Sequence, residues 1–115
     1  MNKNIEYLEF KDFDEMYSWF LKNHKEKPEI FVKISRKKPE KCEGILSYYD
    51  AVTAALCFGW IDSTLRNIDG VLVQRLSPRK KNSHWTELNI SRCEELYKQG
   101  LMQEEGLKAC PKKFK

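Results

Sequence analysis

Basic side chains, hydroxyls and a tryptophan crowd into one short stretch, PRKKNSHW at positions 78–85. Arg79 brings a planar fork of donors that suits an anion, and Lys80 and Lys81 bring point charges. Ser83 reads as the cap of a turn that holds Trp85, whose ring can stack on a flat group. The chemistry indicated is recognition of an anion with a planar group attached. A second reading stays open: a polar loop whose tryptophan anchors it in the core, since tryptophans are largely buried on average. A second stretch, ALCFGWIDS at 55–63, sets Asp62 and Ser63 directly beyond Trp60. Asp62 could orient a cation or take a proton. No nucleophile–base pair, metal-ligand set or phosphate-binding glycine loop accompanies it, so no catalytic residue, metal or cofactor is assigned.

The elements that must position these residues follow from periodicity. IEYLEF (5–10) alternates as a short strand. Asp12, with Glu15 three residues on, starts a helix whose inward stripe is Phe13, Met16, Tyr17, Phe20 and Leu21 and which runs to about His24. EIFVKIS (29–35) is a strand, and the loop RKKPEKCEG follows it. Ser47 caps an alanine-rich helix that Gly59 ends. IDSTLRNI (61–68) and VLVQRLS (71–77) flank Asp69-Gly70, a strong hairpin signal. A two-residue turn pairs Ile68 with Val71, Thr64 with Arg75 and Asp62 with Ser77. That register gives a mostly apolar face (Ile61, Ser63, Leu65, Leu72, Leu76, Pro78) and a polar stripe (Asp62, Thr64, Arg66, Arg75, Ser77). On this stripe Asp62 is the diagonal neighbour of Arg75 and orients it. Ser91 and Glu94 read as the capping box of a helix ended by Gly100, and 103–110 makes a further short one. The expected architecture is α+β: a small, mainly antiparallel sheet with a central hairpin packed against several helices on one side, in a single domain over 1–115.

Composition narrows the function classes. The chain carries 21 Lys and Arg against 17 Asp and Glu, a net charge of +4, with basic clusters at 36–41, 78–81 and 111–115. No apolar run approaches the ~20 residues of a membrane-spanning helix, so no membrane span is expected. The first residues lack the apolar core of a signal peptide, so a cytoplasmic location is expected. Cys42, Cys57, Cys93 and Cys110 form no CxxC pair and stand away from His24 and His84. They read as reduced thiols filling packed positions.

ALCFGWIDS, QRLSPRKKNSHW and an N-x-x-R-x-x-x-L pattern followed by Gly100-Leu101-Met102 resemble the YdeI/OmpD-associated family, also called bacteriocin-protection proteins. The resemblance spans about Phe13 to Ala109. Matching positions are Gly59, Trp60, Ile61, Asp62 and Ser63, then Arg75, Ser77, Pro78 and Arg79, then Ser83, Trp85 and Asn89. It implies links to envelope stress and peptide-toxin tolerance rather than a defined reaction. Family members often carry a C-terminal segment that has no counterpart here, and its role is not carried over.

Three functional classes follow. The first is a binding domain for an anionic small molecule or protein partner, in a groove between the hairpin and the basic loop. Its ligand-binding residues would be Trp60, Asp62, Ser63, Arg75, Ser77, Arg79, Lys81, Ser83, Trp85 and Asn89, with the two tryptophans as walls. The same polar residues could instead form an internal network that fixes the loop. The second class, a nucleic-acid binder, is favoured by the basic clusters and opposed by the mild net charge. The third is an enzyme using Asp62.

Overall fold

The computed structural model describes residues 6–80 and 84–114. Its elements are α1 (Phe13–Asn23), β1 (Ile30–Lys33), α2 (Tyr48–Cys57), β2 (Trp60–Ile68), β3 (Val71–Pro78), α3 (Glu87–Lys98) and α4 (Glu104–Ala109), with one 3-10 turn at Pro39–Lys41. The strands form an antiparallel sheet in the order β1-β3-β2. The fold is α+β. Helix α2 packs on β2, and α1, α3 and α4 pack on α2.

Local chemistry accounts for the helix ends. The Asp12 carboxylate accepts from the Glu15 amide at 3.0 Å, and Glu15 in turn accepts from the Lys11 amide at 2.8 Å. Ser47 Oγ accepts from the Asp50 amide at 3.0 Å at the start of α2. At the other end Gly59 takes φ +79°, a left-handed conformation that L side chains rarely adopt. A second glycine has a packing role. A Cβ at Gly106 would lie 2.3 Å from the Cys57 carbonyl oxygen. Its absence lets α4 dock on the end of α2, where the Gln103 amide donates to that same carbonyl at 2.9 Å. The core gathers Met16 and Phe20 of α1, the alanines of α2, and Phe58, Trp60 and Leu76. The Phe20 ring centroid lies 5.1 Å from that of Phe58, stacked, and 5.1 Å from that of Trp60, edge-on. Cys57, Cys93 and Cys110 are buried free thiols, and Cys42 is half-buried.

Three sequence expectations need correction. The strand expected at 5–10 reduces, over its described residues, to a parallel bridge between Leu8 and Val32. The chain leaves the ladder because Phe10 turns into the core and its carbonyl accepts from the Leu46 amide at 3.1 Å. Helix α3 begins at Glu87, ahead of the expected Ser91 cap: Thr86 caps it, accepting from the Asn89 amide at 3.1 Å. The hairpin keeps its expected register near the turn, with Ile68 facing Val71 and Asp69 (φ 52°) and Gly70 (φ 88°) at the tip. A bulge between Asp62 and Leu65 then shifts the pairing, so that Asp62 faces Leu76, Ile61 faces Ser77 and Trp60 faces Pro78. Ser63 and Thr64 together oppose Arg75. The buried Gln74 side chain supports the bulge, donating to the Thr64 carbonyl at 3.2 Å and the Arg75 carbonyl at 3.1 Å.

Candidate functional site

The bulge decides where the polar residues go. Partners across a ladder share a face, so Asp62 lies on the face of Leu76 and Trp60, toward the helices, while Arg75 lies with Phe31 on the other face. The expected Asp62–Arg75 pair is not formed. Arg75 Nε donates to Glu29 Oε1 at 2.5 Å, and Nη1 donates to Ser63 Oγ at 3.0 Å. Arg75, Ser63 and Glu29 make an exposed surface pair of the kind that contributes little to stability. Ser77, opposite Ile61, is half-buried and apart from it.

Four of the expected site residues do converge: Trp60, Asp62, Arg79 and Asn89 line one cavity of about 140 Å³. Its apolar floor comes from Trp60 and Ile61 at the start of β2 and from Val52 and Leu56 of α2. Tyr48, Val52 and Leu56 are four residues apart along α2 and so form one stripe. Asn89 and Arg92, three residues apart, present one side of α3. Arg79 enters from just beyond β3, its amide tied to the Gly59 carbonyl at 2.9 Å. The site is therefore a pocket between the sheet and two helices. It differs from the groove expected between the hairpin and the basic loop.

Arg79 is held firmly. Its guanidinium carbon lies 4.0 Å from the centre of the Trp85 ring, and Nη1 donates to the His84 carbonyl at 3.1 Å. Trp85 is thus a platform for this arginine and does not line the pocket. The Arg79 Nε is buried with no hydrogen-bond partner among the described residues. Burial lowers the pKa of Arg79, with Asp62 among the charges that oppose the shift. A guanidinium nevertheless keeps its proton. Arg92 lies over the Tyr49 ring, 5.2 Å from its centre.

Opposite the arginines, Tyr48 donates its hydroxyl proton to Asp62 Oδ2 at 2.7 Å. Partial burial, and then this hydrogen bond, push the phenol up to about 12, while Arg92 and Arg36 pull the other way. Tyr48 was not singled out from the sequence, and Arg92 entered only within the N-x-x-R-x-x-x-L pattern that starts at Asn89. For Arg92 the spacing of three from Asn89 was a signal. Lys81 and Ser83 lie outside the described residues.

A much larger trough, about 1000 Å³, runs between Glu6–Leu8, Trp19 of α1 and Glu29–Phe31. It is open, and its lysine, Lys27, shares the lining with the acids Glu6 and Glu29. The smaller pocket is the better candidate on chemistry.

Among known proteins, no curated protein and no solved structure matches the chain. A match with one family covers residues 8–109, which include the whole sheet, all four helices and the pocket. The chain belongs to that family, described as "Domain of unknown function (DUF8412)".

Proposed function

We propose that this domain binds a small anion in the pocket between β2, α2 and α3, with Arg79 and Arg92 meeting the acidic group and Asn89 adding an amide donor. The observation that carries the reading is the pairing of the arginines. Among the described residues neither Arg79 nor Arg92 lies within ion-pair distance of a carboxylate, whereas Arg75 is bound to Glu29. Two guanidiniums in one small, partly desolvated cavity repel each other, and an anion between them relieves that cost. Cytoplasmic action, and a link to envelope stress or peptide-toxin tolerance by kinship with the YdeI/OmpD-associated family, go with this reading as proposals.

Calorimetric titration of the protein with acetate and with inorganic phosphate tests it. Arg92→Gln is expected to weaken binding of the preferred anion at least tenfold, and Arg66→Gln, an exposed arginine of β2, to leave it unchanged. Equal affinities in all three proteins would refute the proposal.

A further inference from the structure

We infer that the pocket is selective for a monoanionic carboxylate carrying a neutral hydrogen-bond donor beside its acid group, the smallest representative being a 2-hydroxy acid. The inference rests on the anion-binding reading above and adds to it the role of Asp62. The lining holds two guanidiniums, Arg79 and Arg92, against one carboxylate, Asp62. One positive charge is left over, which matches a monoanion. A phosphate dianion would overcompensate it and set a doubly charged group beside the singly charged Asp62. Asp62 also needs something from the ligand. Tyr48 occupies Oδ2, and Oδ1 has no partner among the described residues. This free carboxylate oxygen can accept a hydrogen bond from a donor on the ligand. The donor is neutral because an ammonium would meet the field of Arg79 and Arg92. Size agrees. At roughly 30 Å³ for a water-sized group, a cavity of about 140 Å³ holds about four or five non-hydrogen atoms, the size of glycolate. A longer hydroxy acid would leave its chain at the mouth.

Tyr48 is a positioning residue here. Its proton holds one oxygen of Asp62 and turns the other toward the ligand. Removing it leaves the arginines untouched, so acetate, which has no donor, is insensitive to the change, while glycolate loses affinity.

The test is a panel of glycolate, acetate, glycine and inorganic phosphate, titrated by calorimetry into the wild-type protein, Asp62→Asn and Tyr48→Phe. Melting curves accompany each variant as a check of folding. In the wild type, glycolate is expected to bind at least tenfold more tightly than acetate, and more tightly than glycine or phosphate. Tyr48→Phe should reduce the glycolate-to-acetate ratio at least threefold without changing acetate affinity. Asp62→Asn should raise phosphate affinity by a similar factor. Acetate binding as well as glycolate, or glycine binding better than glycolate, overturns this inference and leaves the anion pocket standing. A wild-type protein that binds none of the four overturns both. If Asp62→Asn does not fold, the Tyr48→Phe ratio decides alone, because Tyr48 is exposed and its ring is outside the core.

Discussion

The phenol of Tyr48 titrates late, and its partner can be identified by mutation. Its pKa is raised to about 12, first by partial burial and then by the hydrogen bond to Asp62. A raised folded-state pKa means that the folded protein holds the proton more tightly than the unfolded chain. The associated stability is complete below the ordinary value of 10 and is lost as pH climbs from about 10 to about 12. Alongside Tyr17, whose phenol burial also pushes up, Tyr48 should show a late step in a tyrosinate absorbance titration. Asp62→Asn should move it partly back toward 10, because burial, the larger cause, remains. A second residue-scale prediction concerns Trp60, 2% exposed and packed edge-on to Phe20. Trp60→Ala should destabilise the fold by about 3–5 kcal/mol in denaturant titration, the range for truncating a core aromatic. The sequence pointed to Trp60 and Asp62, which line one cavity, because a glycine stop and a sharp change from apolar to polar are local signals. It did not show that Tyr48 and Arg92 belong with them. Their relevance depends on which faces of α2 and α3 come together, and that is a tertiary property.

Among the elements, the hairpin teaches most. Its turn was legible, because Asp69 and Gly70 supply the two left-handed positions that a two-residue connection requires. Its far half was not. The bulge is supported by Gln74, whose amide reaches the Thr64 carbonyl ten residues away in sequence, and no short-range pattern announces that. One extra residue moved Asp62 from the face of Arg75 to the face of Leu76, and with it the whole candidate site. Gln74→Leu should therefore cost about 1–3 kcal/mol, the penalty for leaving a carbonyl unsatisfied in a partly buried setting. Its chemical-shift changes should centre on Ser63 and Thr64. Confinement of those changes to β1 would contradict the role given to this amide. The α3 start was misplaced for a simpler reason: Ser91 and Glu94 have capping-box spacing, but Thr86 meets the same need one turn earlier. The docking of α4 depends on Gly106 in the same unreadable way. Gly106→Ala sets a methyl against the Cys57 carbonyl and should cost about 1–3 kcal/mol or more by thermal melting.

At the scale of the whole molecule, the α+β layout was legible because each helix and strand carries its own period. What the chain as a whole does was less so, because its cations are scattered. Charges at 36–41, 78–81 and 111–115 suggest a polyanion surface when counted along the sequence. In the fold, Arg79 lines one pocket with Arg92, while Lys112 forms an ion pair with Glu94. No helix among the described residues is long and apolar enough to cross a membrane. A compact site engages few charges, so its affinity should fall gently with salt. A protein that neutralised many phosphates of duplex DNA would lose affinity with a slope near −0.9 per phosphate in log salt.

The central claim is that the working surface is the pocket and not the basic clusters. It is tested most directly by following backbone amide and tryptophan indole resonances by heteronuclear NMR while glycolate is added. The account predicts saturable shifts concentrated at Trp60, Asp62, Asn89 and Arg92, all of which Arg92→Gln abolishes. Shifts that do not saturate, or that gather at Lys37, Lys38, Lys112 and Lys113 and survive Arg92→Gln, would contradict it.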